Sequence, residues 1–483
     1  MAESLKEKVI KGVVWDGFQK FGTMAITFVS NLILARLLVP VDFGTLGLIM
    51  AFISISNAFI DGGFTSALIQ KGNPSNEDMS SVFFLNLFIS VFFYIALFVF
   101  SPQISIFFHA PLLTNTLRVT GLILIFNAIS IIQLTQLQIN LNFKKQAKYN
   151  LIATFFGTTL GIVLALIGYG VWSLVFRTLL TSILLCCLVW IYSQWRPLWH
   201  FSYQRVKSLF NFGGFIFLST LIEYLYANIQ PILIGKFFTL GQLGYYTQAR
   251  KLEEIPTNTL TGIISSVTFP VYSKLKDDKV KLKNSVRKSL LSLSYIAVPL
   301  MALMILVAKP LIVLLLGSKW IDAYPFLQIL CIAGVFRIPS GINMNLIMSI
   351  GKSKSFLSVQ VFKRVIGAVA IIVGSLWGII GLMWGFAVAS FLFFAVDSLL
   401  CGNYLNYGFI EESKDMVPYF LMSTVSAIIT INFISFSNID DMFISLVLKV
   451  LIFSLTYVLI AAFTRNPSQS FVWGIIKDKI LKK

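Results

Sequence analysis

The chain alternates long apolar stretches with short polar connections almost from end to end. We identify fourteen apolar stretches of about 20 residues or more, the length that a helix needs to cross a bilayer. Backbone groups inside a bilayer must be hydrogen-bonded within the chain, so such stretches predict helices. Their approximate centres are Ile26, Ser56, Ser90, Ala128, Leu160, Ser182, Glu223, Asn258, Met301, Val335, Ile366, Phe391, Ser426 and Phe453. The pattern predicts an all-α integral membrane protein with fourteen transmembrane helices.

Composition supports this interpretation. Hydrophobic residues make up 57% of the 483 residues and charged residues only 12%, whereas soluble domains carry about 25% charged residues. No soluble domain interrupts the apolar stretches. The four cysteines, Cys186, Cys187, Cys331 and Cys401, all lie inside them and are expected to be small buried residues. The chain contains only two histidines, and we predict no metal site, no cofactor and no enzymatic activity.

The positive charges outside the apolar stretches fall mainly in every second connection. Placing the N-terminus in the cytoplasm puts twenty-five Lys and Arg on the cytoplasmic side. Only five lie opposite, namely Arg36, Arg118, Lys236, Lys309 and Lys319. This asymmetry predicts cytoplasmic termini. The net charge of +18 is therefore expected to meet anionic membrane lipids, and nucleic-acid binding is not expected.

A weak internal repeat appears at an offset of 200 residues. LILARLLVPVDFGTLG resembles IGKFFTLGQLGYYT, so that Arg36 aligns with Lys236 and Gly44 with Gly244. The offset contains six predicted spans, so both halves have the same orientation. We therefore predict two pseudo-symmetric six-helix lobes over 1–200 and 201–405 and two C-terminal helices over 406–465. Lysines mixed with apolar residues predict a cytoplasmic interfacial helix over 466–483.

Charged residues inside the predicted spans are the main candidates for function, because each is costly in a bilayer unless it faces a polar interior. Arg337 and Arg364 lie near mid-depth without an acid within one helical turn, and Arg250 stands among charged neighbours. Arginine suits phosphate or pyrophosphate because its planar fork binds such oxygens in a bidentate manner. Arg177 and Lys251 are weaker candidates. Pairing with acids on other helices is the alternative.

Two further sets of polar residues complete the candidate site. Asp61, Glu223 and Glu254 are the predicted counter-charges or ion-coupling groups. Amide side chains around the end of the fourth span either bind sugar hydroxyls or join helices. These amides are Gln133, Gln136, Gln138, Asn140 and Asn142.

Several segments resemble a known family. KGVVWDGFQKFGTMAITFVSNLILARLLVPVDFGTLGLI, FIDGGFTSALIQK, LGYYTQARKLEEIP and LLLGSKWIDAYPFLQILCIAG are similar to bacterial polysaccharide transporters of the multidrug/oligosaccharidyl-lipid/polysaccharide flippase superfamily. LARLLVPVDFG with DGGFTSALIQK resembles the colanic-acid and teichuronic-acid exporter branch.

The resemblance implies a two-lobed carrier in the bacterial inner membrane that translocates an undecaprenyl-pyrophosphate-linked oligosaccharide by alternating access. H⁺ or Na⁺ is the expected coupling ion. Two alternatives stay open, a cation-coupled antiporter of drugs or small molecules and a membrane polysaccharide polymerase or ligase. Short outer connections and scarce histidine argue against the enzyme. A cationic cavity argues against a carrier for cationic drugs.

Overall fold

A computed structural model describes residues 5–351, 353–437, 441–464, and 468 and 469. Over these residues the chain forms fifteen α-helices and one short 3₁₀ helix, Ser318–Ala323. The α-helices are α1 Leu5–Leu37, α2 Pro40–Asp61, α3 Phe64–Lys71, α4 Asn76–Phe107, α5 Leu113–Ile139, α6 Phe143–Leu166, α7 Val171–Tyr192, α8 Tyr203–Phe237, α9 Leu240–Leu275, α10 Lys279–Leu316, α11 Tyr324–Ser349, α12 Ser353–Ser375, α13 Gly378–Leu405, α14 Phe409–Phe436 and α15 Met442–Phe463.

The all-helical membrane architecture predicted from the hydrophobic pattern is confirmed. Each predicted centre falls within a separate long helix. Twelve segments of the described chain are long and apolar enough to cross a membrane. The two long helices outside that set, α1 and α9, carry charged residues along their length, including Asp16 and Lys20 on α1. The count of fourteen crossing helices therefore stays a prediction.

The second predicted span is two helices rather than one. It breaks at Gly62 and Gly63, which have φ angles of 51° and 74°, a left-handed conformation that glycine adopts without steric cost. A Cβ atom added at Gly63 would lie 2.2 Å from the carbonyl oxygen of Gly213. The break thus lets α3 approach the backbone of α8 closely.

Side-chain caps set several helix starts. Ser75 accepts a hydrogen bond from the backbone N–H of Asp78 at 3.2 Å, and the Asp78 carboxylate accepts one from the N–H of Ser75 at 2.8 Å. This reciprocal arrangement satisfies donors that a helix N-terminus leaves unpaired. Asp278 caps α10 and Asp441 caps α15 in a similar way.

The chain divides into two compact units, Met1–Gly244 and Tyr245–Lys483. In the first unit, α8 packs against α2, α3 and α4, and therefore lies with the preceding helices. That unit ends beyond residue 200, the predicted end of the first lobe; the lobe assignment itself stays a prediction. A buried apolar cluster there includes Phe64, Leu68, Phe83 and Trp195.

In the second unit, α11 packs against α10, α12 and α13, and α14 packs against α10 and α15. Trp320 of the 3₁₀ helix is fully buried and contacts the Tyr245 ring edge to face, with ring centroids 6.1 Å apart. The predicted interfacial helix over 466–483 lies outside the described residues except for 468 and 469.

The repeat positions meet each other inside the first unit. A Cβ atom added at Gly44 would lie 1.8 Å from the carbonyl oxygen of Leu240, and one added at Gly244 would lie 1.9 Å from that of Pro40. The two contacts are equivalent under the repeat, because the offset of 200 residues relates Gly44 to Gly244 and Pro40 to Leu240. Glycine is required at both positions because the first turns of α2 and α9 touch through their backbones.

Candidate functional site

A buried carboxylate on α9 faces an arginine on α11. Glu253 is completely buried, and its oxygens lie 3.3 and 3.5 Å from Nη1 of Arg337. The Thr257 hydroxyl donates a hydrogen bond to the same carboxylate at 2.6 Å. A Cβ atom at Gly334 would lie 2.8 Å from Oε1 of Glu253, so this glycine makes room for the carboxylate. Sequence reasoning missed Glu253 as the partner because it lies 84 positions from Arg337.

About one turn before Glu253, Arg250 forms an ion pair with Glu254 on the same helix. Its Nε donates to Glu254 at 2.7 Å and its Nη1 donates to the Tyr246 hydroxyl at 2.9 Å. The Arg250 side chain is 28% exposed. The spacing of four residues brings Arg250 and Glu254 onto one helix face. We define the Arg–Glu cluster as Arg250, Glu253, Glu254 and Arg337.

The Arg–Glu cluster has the chemistry to hold an anion. The Arg337 side chain is 31% exposed, and its hydrogen bonds to protein groups of the described chain come from Nη1 alone. A guanidinium has five N–H donors in a fixed fork. Arg337 therefore keeps donors that suit phosphate oxygens while Glu253 holds the side chain in place.

A buried ion pair and a hydroxyl connect three helices of the second unit. Lys363 on α12 donates to Asp397 on α13 at 2.7 Å, and Ser340 on α11 donates to the same carboxylate. Both charged side chains are at most 5% exposed. The neighbouring Arg364 lies over the Phe393 ring at 6.0 Å. The structure thus places Arg364 beside this pair.

A buried polar network on α11, α13 and α14 was not anticipated from the sequence. Glu412 is fully buried and accepts hydrogen bonds from Ser398 at 2.6 Å and Asn343 at 2.9 Å. Asn343 also donates to Ser398 at 3.1 Å. Glu412 lies in the first turn of α14, and its burial comes from tertiary packing, which the local sequence does not show.

The remaining predicted residues are spread over both units. Lys251 is exposed on α9 of the second unit. In the first unit, Asp61 ends α2 and accepts hydrogen bonds from the backbone and hydroxyl of Thr65 across the glycine break. Glu223 is exposed on α8, and neither it nor the Arg177 guanidinium is paired with any described group. Arg177 lies on α7 against Gly161, whose added Cβ would be 2.8 Å from Cβ of Arg177.

More than half of the chain matches a known protein family. The sequence profile described as polysaccharide biosynthesis protein matches residues 33–325. The chain belongs to this family.

Three curated relatives match about three quarters of the chain. The succinoglycan biosynthesis transport protein ExoT of Rhizobium meliloti is 25% identical over 370 residues, covering 77% of this chain and 75% of the relative. The lipopolysaccharide biosynthesis protein WzxC of Escherichia coli is 26% identical, covering 77% and 76%. The teichuronic acid biosynthesis protein TuaB of Bacillus subtilis is 24% identical, covering 72% and 73%. The resemblance noted from sequence motifs is confirmed.

Solved structures show the same fold. The lipid II flippase MurJ in an inward closed conformation superposes with a TM-score of 0.78 at 16% identity, covering 94% of this chain and 99% of that one. An inward-facing multidrug resistance transporter of the MATE family gives a TM-score of 0.61 at 17% identity, covering 84% and 98%. The chain therefore has the fold of the superfamily that its motifs indicated.

Proposed function

We propose that the chain is a flippase that translocates an undecaprenyl-pyrophosphate-linked oligosaccharide across the bacterial cytoplasmic membrane for export of a surface polysaccharide. The observation that carries the proposal is the Arg–Glu cluster, in which a partly exposed arginine is held by a buried carboxylate inside a membrane helix bundle. Family membership and the relative of Rhizobium meliloti, which is named for transport in succinoglycan biosynthesis, support the same cargo class.

Arginine chemistry defines the role of each residue. Arg250, Arg337 and Arg364 bind pyrophosphate oxygens, with Arg177 and Lys251 as secondary contacts. Glu254, Asp61 and Glu223 serve as counter-charges, or as groups that bind the coupling ion, H⁺ or Na⁺. Glu253 joins this set as a positioning residue because it contacts Arg337 directly. No bond chemistry is required, since a flippase moves its cargo without converting it.

The proposed topology has fourteen spans, cytoplasmic termini and two lobes related by pseudo-symmetry. The loop charge asymmetry supports the orientation, and anionic lipids would hold the basic loops at the inner surface. The reciprocal Gly44–Leu240 and Gly244–Pro40 contacts support the repeat. Alternating access of the two lobes would carry the headgroup across while the polyprenyl chain stays in lipid.

The two other functions have less support. A polymerase or ligase needs reactive side chains, and the relative ExoT is named for transport. A carrier for cationic drugs would lose binding energy beside two arginines on α9 and α11. The likeness to the MATE transporter concerns the fold.

The test is export by cells that lack the chain and carry single variants at matched membrane abundance. Arg250→Ala, Arg337→Ala and Arg364→Ala should each abolish export and accumulate lipid-linked oligosaccharide. The matching Lys variants should stay impaired because a lysine lacks the bidentate fork. Lys449→Ala, which removes an intramembrane cation on α15, is the control and should export normally. Full export by all three Ala variants would contradict the proposed cationic site.

A further inference from the structure

The first unit contains a polar cavity of about 510 Å³, and no residue of the Arg–Glu cluster lines it. It lies where α4 and α6 begin and where α5 and α7 end. The lining combines amide side chains with aromatic rings and one cation. It includes Gln136, Asn140, Lys145, Tyr149, Tyr192 and Trp195. A cavity of this size is in the range of small-molecule sites.

The aromatic part of the lining is preformed. Tyr149 and Tyr192 stack with ring centroids 5.5 Å apart and an interplanar angle of 10°. The Tyr149 ring is 5% exposed, and its hydroxyl bonds to no group of the described chain. Trp195 is 8% exposed, and its indole N–H is buried without a hydrogen-bond partner among the residues described. The stacked rings therefore give this side of the cavity an apolar surface before any ligand binds.

The wall that carries Trp195 is fixed in place. Arg196 donates to the backbone oxygens of Ser193, Trp195 and Trp190 at 2.7, 2.8 and 2.9 Å. The backbone N–H of Leu198 donates to the Ser80 hydroxyl at 2.9 Å. The segment between α7 and α8 is therefore held rigidly against α4. A rigid wall lowers the entropy cost of binding.

We propose that this cavity binds a sugar unit of the cargo, as a carbohydrate subsite separate from the headgroup cations. Amide groups donate and accept at once, which matches vicinal hydroxyls. Aromatic rings provide an apolar surface for the C–H face of a pyranose. Lys145 adds one positive charge, so a carboxylated sugar such as a uronic acid should be favoured.

The subsite rests on the proposed function, because a flippase for lipid-linked oligosaccharides gives a membrane cavity a reason to recognise carbohydrate. In the proposed orientation this end of the first unit faces the cytoplasm, where the oligosaccharide begins its passage. The chain also offers close controls. Gln138 lies two positions after Gln136 on α5, and Lys148 lies three positions after Lys145 on α6. Neither Gln138 nor Lys148 lines the cavity.

The experiment is saturation-transfer NMR on the purified full chain with methyl β-glucoside, methyl β-galactoside and methyl β-glucuronide as probes. We expect transfer to at least one probe and weaker binding by about five- to tenfold in Gln136→Leu, the effect of one lost hydrogen bond. Tyr149→Ala should bind still more weakly, and Gln138→Leu should match the unaltered chain. Lys145→Ala should lower affinity for the glucuronide alone, whereas Lys148→Ala should not.

Thermal melting of each variant separates binding defects from misfolding. Absence of transfer to all three probes overturns the subsite, as does equal binding by folded Gln136→Leu and Gln138→Leu. The proposed function has its own readout, the accumulation of lipid-linked oligosaccharide in cells that lack the chain. Accumulation together with unaffected sugar binding in the cavity variants would reject the subsite alone. Normal export without the chain would reject the flippase even if glycosides bind.

Discussion

The contact between Arg337 and Glu253 allows a test of whether Arg337 only stabilises the fold or also binds the cargo. The charged atoms lie 3.3 Å apart and Glu253 is fully buried. Replacing Arg337 by Met leaves that carboxylate without its cation. Removing one partner of a buried pair costs about 3–5 kcal/mol. Because the Arg337 side chain is 31% exposed, we expect the lower end, about 3 kcal/mol.

A second substitution should restore stability without restoring transport. In Arg337→Met/Glu253→Gln the buried charge is gone, and Thr257 can still bond to the amide. We expect its thermal midpoint in detergent to return close to that of the unaltered chain. Export should stay absent in both variants, because the phosphate-binding guanidinium is missing. Lys449→Met is the control and should change neither stability nor export.

Two results would refute this reasoning. A thermal midpoint of Arg337→Met equal to that of the unaltered chain would show that the buried carboxylate does not depend on this cation. Export that returns together with stability in the double variant would show that Arg337 is structural and that the pyrophosphate is held elsewhere. The assay is polysaccharide export at matched membrane abundance, with thermal unfolding of the same variants after purification.

Three further predictions follow. Gly44→Ala and Gly244→Ala should each destabilise the fold by about 1–3 kcal/mol through overpacking, and the double variant by less than the sum, since both substitutions force apart the same backbone contact. In thermal melting the control Gly262→Ala, whose added Cβ meets nothing within 4 Å, should not be destabilised and should gain up to about 1 kcal/mol from helix propensity. Equal stability of all three variants would contradict the backbone contact. Lys363→Met should destabilise the fold by about 3–5 kcal/mol because it leaves the buried Asp397 carboxylate without its cation. The double variant Lys363→Met/Asp397→Asn should be destabilised less. A lower unfolding midpoint in the double variant than in Lys363→Met would contradict a buried ion pair. In a cysteine-free chain, an impermeant maleimide added to intact cells should label Lys319→Cys and miss Lys281→Cys; the reverse pattern would contradict the orientation.

The helices were predictable because bilayer crossing imposes a strong length and polarity rule on the sequence. The break after Asp61 was missed, although the Gly62–Gly63 pair was a local signal for it. The partner of Arg337 was not predictable, because only acids within one helical turn can be found from sequence spacing. Glu253 and Arg337 meet only in the folded chain, where their charged atoms lie 3.3 Å apart and the glycine at 334 leaves room for the carboxylate.

The role of the amide residues near the end of α5 was only partly predictable from the sequence. Their composition allowed two interpretations, sugar binding or helix joining. The structure separates members of the set: Gln136, Asn140 and Asn142 line the polar cavity, and Gln138 does not. Orientation around the helix decided this, and the sequence alone did not reveal which amides share the cavity with Tyr149 and Trp195.

The most direct test of the account is flipping by the purified chain in liposomes. A fluorescent undecaprenyl-pyrophosphate oligosaccharide would be placed in both leaflets, and a membrane-impermeant quencher would report how much of it becomes accessible from outside. The unaltered chain should expose nearly all of the probe, and the Arg250→Ala/Arg337→Ala/Arg364→Ala variant only the outer half. Accessibility no greater than in protein-free liposomes, or full accessibility with the triple variant, would contradict a flippase that holds its cargo through these arginines.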